Sequence, residues 1–417
     1  MTTATVDGAI PGMTTARRGR GLVVSALGIM QILAWGSSYY LPAVLAKPIS
    51  EATGWTYGWV IGGLSCGLLV SALVATRVGR TIDHYGGRPV LALSAILLAS
   101  GLALLAAASN MVLYISAWLV LGLGMAAGLY DAAFATLGRL YGRGARSAIT
   151  SLTLWGGFAS TVCWPLSAFL VEQVGWRGTC VAYAVLQLSV SLPLSLFLIP
   201  REAHHGVESD PAAASDPIAP VATLAHRGAV FALLAAILTT GGAIAAIVSV
   251  HLITIIQASG ITLAAAVGLG VLVGPAQVGA RVIEMLGGGR HHPIWTLIAS
   301  VVLVATGLAL LWSELPVLAV ALISYGAGNG IWSIARGTLP LALFGASGYA
   351  HLMGRLAMPS LIAQAVAPAL GAVLMVQLGA PATLGVLLLL SLLNLAGVTG
   401  LALIVQNSIA AAPNRGM

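Results

Sequence analysis

Apolar residues run along this chain in blocks of about twenty or more, parted by short polar breaks. The pattern predicts helices over roughly 21–46, 55–79, 88–107, 111–138, 147–172, 178–199, 228–257, 262–287, 293–312, 315–343, 349–377 and 382–406. Each is long enough to cross the hydrocarbon core of a bilayer. Between the sixth and seventh lies REAHHGVESDPAAASDPIAPVATLAHR, 201–227. Rich in Pro, Ala, Ser and charge and without apolar period, it reads as a flexible linker. The expected organisation is a tail over 1–20, a six-helix half over 21–199, a linker over 200–227, a second half over 228–406 and a tail over 407–417. The fold class expected is an all-α polytopic membrane protein.

Composition agrees. Hydrophobic residues make up 59% and charged residues 7%, against about 45–50% and about 25% in soluble domains. Such a chain cannot clothe itself in polar surface, so the lipid bilayer is its solvent. The net charge of +7 does not point to nucleic acid, because no basic stripe is interleaved with aromatics. The Lys and Arg residues alternate in side instead. If the amino terminus is cytoplasmic, the cytoplasmic segments hold Arg17, Arg18, Arg20, Arg77, Arg80, Arg88, Arg139, Arg143, Arg146, Arg201, Arg227, Arg290 and Arg415, and the far side only Lys47 and Arg177. The positive-inside rule then puts both termini in the cytoplasm, in a bacterial-type inner membrane. Arg17-Arg18 ahead of an apolar run imitates a twin-arginine signal, but Trp35, Tyr39, Tyr40 and Pro42 interrupt that run and no cleavage site is evident, so the helix is read as retained.

Chemistry other than transport finds little footing. Cys66, Cys163 and Cys180 lack CxxC spacing, so neither a disulfide framework nor a zinc site is expected, and no cofactor is expected. There is no Walker A pattern. Gly345-Ala346-Ser347-Gly348 matches the G-x-S-G of intramembrane serine proteases, but in a turn between helices, so no enzyme is expected.

The halves echo one another at a spacing near 204. Gly122-Leu123-Gly124 matches Gly326-Ala327-Gly328, Gln173-Val174-Gly175 matches Gln377-Leu378-Gly379, Gly54 matches Gly260 and Pro165 matches Pro368. Repeats of six helices with a midplane site between them are a habit of secondary transporters.

The stretch VGRTIDHYGGRPV, 78–90, gathers charge in a chain that has little. Gly79-Arg80-Thr81-Ile82-Asp83-His84-Tyr85-Gly86-Gly87-Arg88 resembles the major facilitator superfamily signature G-x-x-x-D-R-x-G-R-R between helices 2 and 3, with His84 and Gly87 departing from it. The resemblance implies twelve helices in two pseudo-symmetric halves, alternating access, and a gating role for Gly79, Asp83 and Arg88 in a charged cytoplasmic latch. The bland alternative is a solvated turn; Asp83 can face N–H groups or a neighbouring Arg. Gly54-Trp55-Thr56 and Gly175-Trp176-Arg177 are similar to segments of bacterial monocarboxylate and oxalate/formate-type carriers.

Ionisable groups inside helices cost about 2.5–3.5 kcal/mol on insertion scales, so each needs a wet cavity or a partner. Arg281, in helix 8, has two registers. One sets it opposite Ala75, within the membrane; the other aligns Arg281-x-x-Glu284 with Arg80-x-x-Asp83 at a loop edge. The resemblance implies that Arg281 binds a substrate carboxylate. Glu284 either neutralises Arg281 at i,i+3 or yields to substrate and takes a proton. Asp131 and Arg336 fall at matching depth in helices 4 and 10. They form a gate across the halves, or pair within their own halves, or Asp131 exchanges a proton. Ser37, Ser38 and Tyr39 in helix 1 face Thr239 and Thr240 in helix 7 as a polar cavity wall, or pack helices through small residues. Asn329, Gln31, Tyr325 and Trp332 are further wall candidates. His251 is expected at the outer interface, and Arg355 at the inner end of helix 11.

The expected function is secondary transport of a small organic anion, monocarboxylate-like, with protons as the candidate coupling ion. The expected partners are that small molecule and the bilayer, and the chain is expected to act as a monomer. The alternative is an efflux carrier for drugs or trivalent metalloids; capture of the latter wants clustered thiols, which the three cysteines do not supply.

Overall fold

The computed structural model describes residues 11–201, 227–287, 291–313 and 315–410. The linker, both extreme tails, Arg290 and Arg415 lie outside the described residues. The elements are α1 Pro11–Gly36, α2 Leu41–Thr53, α3 Tyr57–Tyr85, α4 Gly87–Ala106, α5 Met111–Gly128, α6 Tyr130–Tyr141, α7 Ala145–Gly157, α8 Ala159–Leu186, α9 Leu192–Phe197, α10 Arg227–Gln257, α11 Leu263–Gly270, α12 Val273–Leu286, α13 Pro293–Trp312, α14 Leu318–Phe344 and α15 Tyr349–Ala410. A π-helical turn, Gln187–Ser191, joins α8 to α9. Helix α1 starts at Pro11, inside the expected tail, although its apolar span starts at Gly19.

Ten stretches among the described residues are long and apolar enough to cross a bilayer. Two of them, Ala145–Phe197 and Tyr349–Gln406, are of double length, 53 and 58 residues. At 1.5 Å per residue, each would extend roughly 80 Å, far beyond a hydrocarbon core of about 30 Å. Each therefore holds two crossings, parted at Gly175 (φ 69°, ψ 177°) and Gly379 (φ 77°, ψ 174°). Only glycine occupies such left-handed φ cheaply. That makes twelve crossings.

The echo seen in sequence is also an echo in hydrogen bonds. Thr179 Oγ1 donates to the Gly175 carbonyl at 2.8 Å, and Thr383 Oγ1 donates to that of Gly379 at the same distance. Ser94 Oγ donates to the Gly124 carbonyl at 2.7 Å, and Ser300 Oγ to that of Gly328 at 2.8 Å. In lipid the helices gain no hydrophobic drive toward one another, so close approach of small residues and such bonds must hold them. Gly122 illustrates the closeness: a Cβ there would overlap the Gly67 carbonyl. Trp118 is buried against Gly63 and Gly67.

Packing between the first six crossings and the last six concentrates at the Arg-rich end. There α3 and α6 lie on α15, and α7 lies on α12 and α14. Backbones touch at two points: a Cβ on Gly79 would overlap the Ala350 carbonyl, and one on Gly354 would overlap that of Ala75. Gly79 thus serves close approach, while the unusual backbone angle belongs to Gly86 (φ 84°). The charged stretch 78–90 is shorter as a turn than expected. Helix α3 continues through Asp83 to Tyr85, and Gly86 alone breaks it from α4.

Candidate substrate site and gates

Several crossings are interrupted near mid-depth. The first breaks at residues 37–40, where Tyr40 N bonds to the Trp35 carbonyl, five residues back. The fourth breaks at Leu129 and the fifth at Phe158. The eighth breaks between Gly270 and Val273. Interrupted helices inside a membrane survive only where protein or a wet cavity satisfies the freed backbone groups.

The breaks set Asp131 in the first turn of α6, where a carboxylate is favoured by the N–H groups of a helix start. Its two oxygens accept from Nη2 of Arg336 on α14, Oδ1 at 2.6 Å. Both side chains are under one-fifth exposed. The pair spans the halves; among the described residues neither forms an ion pair within its own half.

Arg281 lies inside α12 and is 6% exposed. Its Nε donates to the Gly330 carbonyl at 3.0 Å, Nη1 to the Thr153 carbonyl at 3.1 Å, and Nη2 reaches Gln277 Oε1 at 3.5 Å. All three partners are neutral, and no carboxylate lies within ion-pair distance of it among the described residues. A Cβ on Gly157 would overlap Nη1, so α7 approaches the guanidinium as closely as glycine permits. Tyr130 hydroxyl shares the Thr153 carbonyl at 3.3 Å.

Glu284 corrects the expected pairing. The i,i+3 spacing to Arg281 is present, but the arginine turns between α7 and α14 while Glu284 points to the Arg-rich end. There it accepts from Thr296 Oγ1 at 2.7 Å and meets His291 Nε2 at 3.2 Å and Arg146 at 4.0 Å. Exchange of Glu284 for substrate on Arg281 therefore has no geometric basis. Arg146 also bonds the His291 carbonyl from across the halves. His292 caps α13 by accepting from Ile294 N at 3.2 Å, and burial, then the Arg146 charge, push it below the ordinary histidine value.

Of the two partners expected for Asp83, N–H groups or a neighbouring Arg, the structure has the first. Asp83 pairs with none of Arg77, Arg80 or Arg88; Oδ2 accepts from the His351 N–H, 2.8 Å away, in the first turn of α15. The bare N–H groups of a helix start are the stronger claim on a carboxylate held there. Arg139 bonds the Asp83 carbonyl. Arg88 makes no hydrogen bond or ion pair among the described residues.

The polar wall is also revised. Ser37 and Ser38 are fully buried: Ser37 accepts from Gln187 Nε2 at 2.9 Å and Ser38 donates to the Ala34 carbonyl. Gln31 is equally buried, bonding the Gly128 carbonyl and Trp35 Nε1. The break turns Tyr39 and Tyr40 out instead, with Tyr39 reaching Ser249 of α10. Thr239 Oγ1 is buried without a partner, and Thr240 beside it is half-buried. Asn329, Tyr325 and Trp332 line a small cleft within the last six crossings. His251 bonds the Pro368 carbonyl, and Arg355 stacks over Phe231 at 4.5 Å.

Residues that sequence reasoning missed are Thr153, Gly157, Gln277, Gly330, Tyr40 and Tyr130. Their one signal was helix-breaking composition near mid-span, such as Gly156-Gly157 and Gly128-Leu129.

Comparison with known proteins follows the same lines. The family model described as Major Facilitator Superfamily matches residues 27–290. The fold is similar to that of the human organic anion transporter MFSD10, at 17% identity over 92% of this chain and 99% of that one, TM-score 0.67. It is similar to the transporter FucP in its outward conformation, at 16% identity over 91% and 98%, TM-score 0.69. It is also similar to the proton:xylose symporter XylE bound to 6-bromo-6-deoxy-D-glucose, at 10% identity over 91% and 95%, TM-score 0.67. No curated protein matches the chain.

Proposed function

The chain belongs to the major facilitator superfamily, a multi-pass membrane carrier of a small solute, and we propose that this solute is a small organic anion whose carboxylate binds Arg281. One observation carries the reading: Arg281 is a buried cation whose partners are all neutral. A guanidinium cannot shed its proton at that depth, so it holds an attraction for an anion that no described carboxylate meets. The Arg336 charge, by contrast, is already met by Asp131. A carboxylate arriving at Arg281 gains a charge-assisted, two-pronged contact.

The gates belong to the same proposal. Asp131–Arg336, Asp83 on the α15 start, and the Gly79 contact hold one end shut. Positive-inside placement makes that end cytoplasmic. The carrier is then open or occluded toward the far side, with Tyr39 beneath the opening. Protonation of Asp131 would release Arg336 and free the shut end, which supplies proton coupling without Glu284. The two six-helix halves, 21–199 and 228–406, move against each other about this site.

Arg281→Lys tests the reading. It keeps the charge and loses the fork, so carboxylate binding by calorimetry on purified protein should fall at least tenfold while melting temperature holds. Binding equal to wild type would make Arg281 structural and remove the anion reading.

A further inference from the structure

Beside the Arg281 guanidinium stands a wall of aromatic rings that a small aliphatic anion would not use. Trp35 is 5.2 Å from Tyr39 and 5.2 Å from Tyr130, centroid to centroid, and 5.7 Å from Tyr40. Tyr39 meets Tyr40 edge to face, 5.5 Å apart at 89°, and Tyr40 meets Trp164 at 5.9 Å and 81°. The wall joins the cation through one atom, since Tyr130 and Arg281 both bond the Thr153 carbonyl. Trp35, Tyr39 and Tyr40 keep part of their surface open at the broken middle of the first crossing, and Trp164 is 45% exposed.

We propose that the transported anion is an aromatic carboxylate, its carboxylate on Arg281 and its ring against Trp35, Tyr40 and Trp164. The proposal rests on the anion reading above and narrows it. Trp164 is tied to the cation through Tyr40 and Trp35, whose ring also meets Tyr130, the residue that shares the Thr153 carbonyl with Arg281. Edge-to-face pairs leave ring faces free to receive another ring, and aromatic faces and edges attract through their quadrupoles beyond simple contact. A saturated ring fills the same space without that term. An anion of two or three carbons would engage Arg281 and leave the wall bare.

Calorimetric titration of purified protein with benzoate, cyclohexanecarboxylate, acetate and oxalate separates the possibilities. Benzoate should bind at least tenfold more tightly than acetate or oxalate, and at least threefold more tightly than cyclohexanecarboxylate. Tyr40→Leu should erase the preference for benzoate over cyclohexanecarboxylate; Trp164→Leu, at a more exposed position, provides the same test should the first variant fold poorly. Arg281→Gln should abolish binding of all four. If acetate or oxalate binds as well as benzoate and needs Arg281, the aromatic proposal is overturned and the anion reading stands. If no carboxylate binds in an Arg281-dependent way, both fall.

Discussion

Asp131→Asn removes one charge from the bridge between α6 and α14 and keeps its shape. Arg336 is then left 16% exposed without a counter-charge. Removing one member of a well-buried pair costs about 3–5 kcal/mol. Here both oxygens meet a single nitrogen, both side chains keep some solvent, and the amide still accepts one bond, so the cost should be about 2 kcal/mol. Because the bridge exists only while the Arg-rich end is shut, that cost falls on the shut state. At 1.4 kcal/mol per factor of ten, the balance moves toward opening by roughly thirtyfold. Ala350, buried against α3, offers the reporter. In an Ala350→Cys, Cys66→Ser background, the initial rate of labelling by an impermeant maleimide added from the Arg-rich side should rise by about that factor. Arg336→Gln should act in the same direction, and the charge-swapped double variant should label more slowly than either. Unchanged rates in both single variants would refute the bridge as a gate.

Gly157→Ala would drive a methyl into Arg281 Nη1; carboxylate affinity should drop at least tenfold by calorimetry, with the helical circular dichroism spectrum intact. Asp83→Ala strips the His351 N–H of its acceptor, at a cost of about 1–3 kcal/mol, and should speed labelling of the same Ala350→Cys reporter; equal rates would return the 78–90 stretch to a solvated turn. The depressed value of His292 means that the unfolded chain binds its proton first. Its stabilising share is therefore present above the ordinary histidine range and is lost as pH falls below about 6.5. Protection factors at the start of α13, referred to the intrinsic exchange rate at each pH, should fall with acid in wild type, and His292→Asn, which can cap without titrating, should flatten that dependence.

The crossings themselves were legible because lipid demands unbroken apolar length, and the spacing near 204 by itself sets Asp131 and Arg336 at matching depth. Arg281 was legible as an expensive charge in an apolar run. The interruptions were not. Whether a helix breaks at residues 37–40 or runs on depends on what meets it there, such as Cys163 against Gly36, and no local composition encodes that meeting. Ser37 and Ser38 were open between a cavity wall and helix packing for this reason, and their burial accords with packing. Glu284 was misjudged because spacing along a helix says which side chains are neighbours, not which way a long arginine turns.

Most bonds that bind the two halves at the Arg-rich end stop at peptide groups. Arg281 ends across the halves on the carbonyl of Thr153, Arg146 on that of His291, and Asp83 on the N–H of His351. A peptide group is the same whatever residue carries it. In an alignment of relatives, Thr153 and His351 are therefore free, as far as these bonds go, to change without any matching change at Arg281 or Asp83. Methods that infer contacts from paired variation would find the Asp131–Arg336 bridge and pass over the rest of this seam.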